Sequence, residues 1–120
     1  MLEIRINGFG GQVSVTLSHL LAQAALENGE FGQALPFFGV ERRGAPVRAA
    51  VRISPTTIYA HSQCDLPDYV VVMSEKLVET AVSEGISDSG TVIVNAPHPV
   101  AVRNHPTWQV DADTIAREAG

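Results

Sequence analysis

Gly8, Gly10 and Gly11 fill three of four consecutive positions, directly after a short apolar segment and directly before a helical pattern. A strand that runs through glycines into a helix leaves the first helical N–H groups without intrahelical partners. The aligned peptide dipoles add partial positive charge at that end, so the turn suits an anion. With no Cβ, the glycines let a ligand or a second backbone approach closely, and Gln12 follows as the first polar side chain. The spacing is not the dinucleotide fingerprint, because Gly8-x-Gly10-x-x reaches Val13 where the third glycine belongs. No Gly-Lys-Ser/Thr follows to make a P-loop, and no acidic residue closes a second strand to hold a ribose. Taken alone, the turn fits a corner packed on a partner better than a nucleotide site.

A second cluster is cationic. Arg42, Arg43, Arg48 and Arg52 are four of the eight basic residues, and Glu41 is the acid among them. Arginine makes planar, bidentate contacts with carboxylate and phosphate and serves buried interface ion pairs. The pattern is equally that of a solvated strand face.

Other reactive side chains are sparse. Cys64 is the one cysteine, so an internal disulfide, a multi-cysteine metal centre or an iron–sulfur cluster cannot be built within these residues. His19, His61, His98 and His105 show neither i,i+4 pairing nor an accompanying carboxylate motif, which argues against a metal site. Cys64 lies near His61 without an orienting signature, and a buried thiol is its expected state. Ser14 and Ser18 fall away from the apolar stripe of the first helix. No catalytic triad or paired-carboxylate motif is present, so the chain is not expected to catalyse a reaction unaided. A formal net charge of −5 argues against a general nucleic-acid binder. No apolar run approaches the roughly 20 residues needed to cross a bilayer. The opening strand carries Glu3 and Arg5, unlike a signal peptide, and a cytoplasmic protein is expected.

The elements that must position these residues follow from periodicity. Residues 2–6 alternate, with Leu2, Ile4 and Ile6 on one face and Glu3 and Arg5 on the other, which predicts a strand. From Val13, the residues Leu17, Leu20, Leu21 and Ala24 complete an apolar stripe at helical spacing, with a stop at Asn28-Gly29. Residues 31–39 are aromatic and interrupted by Pro36. Residues 47–53 alternate again, so the two segments are expected as antiparallel strands flanking the loop that holds Glu41, Arg42, Arg43 and Gly44. Residues 54–66 read as loop, with a short strand at 57–60. Residues 69–73 and 91–95 are β-branched runs suited to parallel strands covered on both faces. Between them Ser74 is placed to cap a helix that buries Leu77, Val78, Ala81 and Val82 and stops at Gly85. Residues 96–108 read as irregular, and a last helix starts at Asp111 or Asp113. At 120 residues this is one domain over 1–120. The fold class is α/β: a three-layer open sheet of mostly parallel strands, with a hairpin-like antiparallel part and helices on the faces.

Read jointly, GFGGQ at 8–12 and PFFGVERRGAPVRAAVRIS at 36–54 resemble the gamma subunit or gamma domain of pyruvate and other 2-oxoacid:ferredoxin oxidoreductases. DYVVVMSEKLVE at 68–79, GTVIVNAP at 90–97 and VDADTIARE at 110–118 keep that family's order and spacing, so the resemblance covers essentially the whole chain. The ERRGAP segment is its most specific part and points to the pyruvate branch. The resemblance implies a component of an enzyme that oxidatively decarboxylates a 2-oxoacid, reduces ferredoxin and forms an acyl-coenzyme A. It implies no cofactor in this chain. Thiamine diphosphate, magnesium and iron–sulfur clusters belong to companion subunits, which are the expected partners, with ferredoxin reached indirectly. Coenzyme A is the one ligand this component is expected to help shape. Gly8, Gly10, Gly11 and Gln12 then form a close-approach turn, Glu41, Arg42 and Arg43 dock on the partner or an anionic cofactor, and Gly44 and Pro46 fix the loop.

Two departures stand out. The family continues GGQG where this chain has Val13, and its subunit extends well past the stretch that resembles VDADTIARE. Ending at Gly120 predicts a homo-oligomer that covers the sheet, or a fragment. The alternatives are a stand-alone phosphate- or nucleotide-binding α/β module and a truncated, inactive structural paralogue.

Overall fold

The computed structural model describes residues 1–9, 11–37, 46–58, 66–83, 85–102, 104–111 and 114–115. Alternation at the N-terminus makes β1 (Leu2–Phe9), which turns directly into α1 (Gly11–Glu27). β2 (Phe31–Phe37) and β3 (Pro46–Ser54) follow, then β4 (Tyr69–Val72). A 3-10 turn at Glu75–Leu77 leads into α2 (Val78–Ser83), and β5 (Thr91–Asn95) and β6 (Thr107–Val110) complete the sheet. The six strands lie in the order β2-β3-β1-β4-β5-β6. β2 pairs antiparallel with β3 and β3 with β1, whereas β1, β4, β5 and β6 run parallel. The expected three-layer α/β arrangement is therefore present, with its antiparallel hairpin on one side and its parallel part on the other.

β1 is the organising strand. Ile6 and Gly8 point to the α1 side and Arg5 and Asn7 to the α2 side, because side chains alternate along a strand. On the α2 side, Val70, Val72, Val92 and Val94 pack with Leu77 and Ala81 into the apolar core, all of them buried. Arg5 belongs to this layer and is 3% exposed. Its guanidinium donates to the Ala81 and Gly85 carbonyls at 2.6 Å each, satisfying acceptors that the end of α2 leaves open. Gly85 there has φ 122°, a conformation that suits glycine.

α1 ends as its sequence predicts. Glu30 N donates to Ala25 O and Gly29 N to Leu26 O, with Gly29 at φ 80°, which is a Schellman cap. Its packing face differs from the expectation. The sheet-facing residues are Ser14 and Ser18, both 0% exposed, and Ala25, at 6%. Leu20 is 57% exposed, Ala24 is exposed and Leu17 is half-buried. The cause lies at Gly32 on β2, where an added Cβ would sit 2.5 Å from Ala22 O and 2.7 Å from Ala22 Cα. Helix backbone closely approaches strand backbone, so the most buried positions take small side chains and Leu21 is only half-buried. Leu17 and Leu20 of the expected stripe are turned to the flank.

Other expectations are corrected in detail. Thr57 and Ile58 are not in a strand. Ser74 occupies the N-cap position with extended backbone, yet its side chain makes no capping hydrogen bond. Residues 107 and 108, expected to be irregular, belong to the edge strand β6, which is too short and too exposed on one face to announce itself by burial pattern. β2 passes through Pro36 because it is an edge strand, where a missing N–H costs no ladder bond on the outer side. β3 is not a solvated face: Arg52 is 1% exposed and lies opposite Glu3, with Nε 3.8 Å from Oε1, while Arg48 is exposed. No helix among the described residues is long and apolar enough to cross a membrane.

Two stability measurements check this packing. Gly32→Ala forces α1 off β2 and should cost about 1–3 kcal/mol in urea unfolding, with an unchanged denaturant slope. Arg5→Met strands the buried Ala81 and Gly85 carbonyls and should cost about 3 kcal/mol by the same assay.

Candidate functional site

In open α/β sheets, ligands bind outside the carboxyl ends of the strands, where neighbouring strands send their helices to opposite faces. β1 leads to α1 on one face and its parallel neighbour β4 leads to α2 on the other. The switch point therefore lies between the ends of β1 and β4, at Gly8 and Met73. These two ends are tied together: Met73 N donates to Asn7 O at 2.8 Å, and the Asn95 side-chain amide donates to Met73 O at 3.1 Å from the end of β5.

α1 begins at Gly11, so its free amides open at the same crevice. The helix lacks an acidic residue in its first turn, which leaves the positive end of its dipole uncompensated by a local carboxylate. Gly8 sits against the helix: an added Cβ would lie 2.9 Å from Ser14 Oγ and 3.3 Å from Met73 Cβ. This is a close-approach corner, as the glycine spacing suggested. Ser14 Oγ is fully buried and has no hydrogen-bond partner, whereas the next serine on that face, Ser18, donates to Val15 O at 2.6 Å. An unsatisfied buried hydroxyl costs roughly 1–3 kcal/mol of desolvation and stands out where most such groups are paired.

The structure brings together Gly8 and the first turn of α1, which carries Gly11 and Gln12. Gly10, Glu41, Arg42, Arg43 and Gly44 lie outside the described residues, as do His61 and Cys64. Ser14 belongs to the corner although its sequence position gave no such sign. The only available signal was its spacing of four from Ser18, which reads as polar solvent face until the close contact at Gly32 is known. Among the described residues, no group of three or more histidine, cysteine, aspartate or glutamate side chains could hold a metal ion. His98 pairs with Glu75 at 2.9 Å on the exposed surface, and His105 Nδ1 lies 3.0 Å from Gly90 O. Both contacts are structural. Arg5 and Arg52 are held within the sheet layers by Ala81, Gly85 and Glu3, so the two basic side chains nearest the centre of the sheet are spent on the fold.

Known proteins resemble this chain in sequence and in fold. The chain is 46% identical over 119 residues to pyruvate synthase subunit PorC of Methanothermobacter marburgensis, covering 98% of this chain and 67% of that protein. It is 51% identical over 96 residues to the pyruvate/ketoisovalerate oxidoreductases common subunit gamma of Thermococcus kodakarensis, covering 79% and 52% respectively. The crystal structure of pyruvate oxidoreductase subunit PORC from Thermotoga maritima superposes with a TM-score of 0.80 at 37% identity, over 98% of this chain and 65% of that one. The chain thus spans about two thirds or less of the length of these relatives. With the match to the family extending over residues 3–120, the chain belongs to the pyruvate ferredoxin/flavodoxin oxidoreductase family.

Proposed function

We propose that this chain is the gamma component of a pyruvate or related 2-oxoacid:ferredoxin oxidoreductase complex, acting by assembly and by shaping the coenzyme A side of the site. The observation that carries the reading is the family match over residues 3–120 of this chain together with relatives named as PorC or gamma subunits. In this reading, companion chains hold thiamine diphosphate, magnesium and the iron–sulfur clusters, and ferredoxin is met through them. The complex is cytoplasmic, and residues 1–120 act in it as one unit.

This chain's own contribution is electrostatic and steric. The α1 amides at Gly11 and Gln12 and the dipole behind them favour an anionic group at the β1–β4 crevice. Gly8 keeps that crevice narrow, and Gly10 extends the turn. Glu41, Arg42 and Arg43, on a loop fixed by Gly44 and Pro46, dock on the partner, with the guanidinium groups serving a partner carboxylate or the phosphates of coenzyme A.

The orphan hydroxyl of Ser14 favours one second reading, a stand-alone phosphate-binding module at the same crevice. The two readings separate by experiment. Arg42→Ala combined with Arg43→Ala should weaken co-purification with the thiamine-binding and cysteine-rich chains at least tenfold while the melting temperature of the chain stays unchanged. Unfolding of the variant would show that these arginines are structural. Titration of the chain with coenzyme A should raise its stability as ligand exceeds Kd, by about 2.7 kcal/mol at a hundredfold excess. Ser14→Ala should leave the unliganded stability equal or slightly higher and reduce that ligand-induced gain. An equal gain from ATP or inorganic phosphate, without companion chains, would favour the stand-alone module.

A further inference from the structure

The outward face of α1 is poor in charge for a surface helix. At about 100° per residue, Gln23 lies opposite the buried Ser14, and Thr16, His19, Leu20, Leu26 and Glu27 fall within about 60° of it. All six are exposed, Leu20 at 57% and Leu26 at 59%. Glu27 is the only acid on α1, and the helix carries no lysine or arginine. A solvated helix face ordinarily bears charged and polar residues, whereas this one offers two large apolar side chains and a single carboxylate. That carboxylate is also badly placed. Glu27 closes the helix, where the dipole disfavours negative charge, and no basic residue in the last turn offsets it.

The same residues are symmetric about Gln23 along the chain. Leu20 and Leu26 stand three residues either side of it, and His19 and Glu27 four. An antiparallel helix pair with its two-fold axis at Gln23 therefore sets Leu20 of each copy beside Leu26 of the other, and His19 beside Glu27. Gln23 meets Gln23, and each amide can donate to and accept from the other. This satisfies the demand of a two-fold interface, in which one patch must complement itself. It also brings an imidazole, a cation when protonated, to the carboxylate at the end of each α1. Parallel pairing would set Glu27 against Glu27 instead.

We propose that the outward face of α1 is a self-association surface on which a second copy of this chain packs antiparallel about Gln23. The contact runs from Thr16 to Glu27, about 17 Å long at about 1.5 Å per residue and about 10 Å wide. Such a patch falls short of the roughly 800 Å² per partner of standard stable interfaces. The dimer is therefore weak and concentration-dependent. Leu20 and Leu26 exclude water at its centre, and the two His19–Glu27 pairs fix its direction. The pairing is a property of α1 and is independent of the proposed place in an oxidoreductase complex.

Sedimentation of the 120-residue chain should show a dimer fraction that grows with concentration into the millimolar range. Leu20→Glu should weaken association at least tenfold, and Leu66→Glu, at a 67% exposed leucine away from α1, should leave it unchanged. His19→Glu should weaken it as well, and adding Glu27→Lys to that variant should restore it, because the pair is then reversed in sign. In a Cys64→Ser background, Gln23→Cys should give a disulfide-linked dimer under mild oxidation. Glu27→Cys should not, since eight helical residues hold its two copies at least about 12 Å apart, beyond disulfide reach. A chain that stays monomeric at every concentration overturns the proposal, as does failure of the charge-reversed pair to restore association, or equal cross-linking at both positions. Loss of association in Leu66→Glu but not in Leu20→Glu overturns it by placing the contact elsewhere. Companion chains that shield the thiol at position 23 and suppress its cross-link overturn it by making a companion the occupant.

Discussion

The contact between the backbone of α1 and the backbone of β2 at Gly32 governs this molecule. With Ala22 within 2.5–2.7 Å of where a Gly32 Cβ would be, the fully buried residues beneath the helix are serine and alanine, and Leu21 is only half-buried. That choice sets the rotation of α1 about its own axis. The rotation in turn decides which side chains line the crevice at β1 and β4. Ser14 is driven inward beside Gly8, and Leu17 and Leu20 are driven to the flank. A single glycine thus links the packing of the hairpin half to the crevice at β1 and β4.

A second constraint operates on the other face. The Arg5 guanidinium joins the central strand to the end of α2 through two carbonyls, and Arg52 faces Glu3 across the β1–β3 pair. Charge within a sheet layer is tolerated when its hydrogen bonds are made, and the end of a short helix offers carbonyl acceptors without intrahelical partners. The effect is that the cations nearest the sheet centre hold layers together. Recognition of anions falls to the α1 amides and, in the proposed reading, to the loop arginines Arg42 and Arg43.

Legibility in the sequence varied by element for identifiable reasons. Strong alternation made β1 and β3 readable, and the β-branched runs made β4 and β5 readable, because burial on one or both faces imposes those patterns directly. The Asn28-Gly29 stop was readable because a Schellman cap needs a positive φ. β6 was missed: its four residues alternate half-buried and exposed at a sheet edge, so Trp108 and Val110 do not mark an inward face. The Gly8 corner was visible as glycine spacing, whereas Ser14 was not, since a buried serine under a helix has the same sequence signature as a solvated one.

The sequence alone determined the order and kind of the main elements, the anion-compatible turn at the start of α1 and, through segments such as ERRGAP and VDADTIARE, the family. These are local properties: hydrophobic period, glycine and proline positions, and contiguous motifs are written residue by residue. Only the tertiary structure decided which stripe of α1 is buried, that Arg5 and Arg52 belong to the interior, and that β1 and β4 form the switch point. Each of these depends on a contact between residues far apart in the chain. Periodicity reports that a helix has an apolar side, but backbone-to-backbone packing at Gly32 determines where that side points.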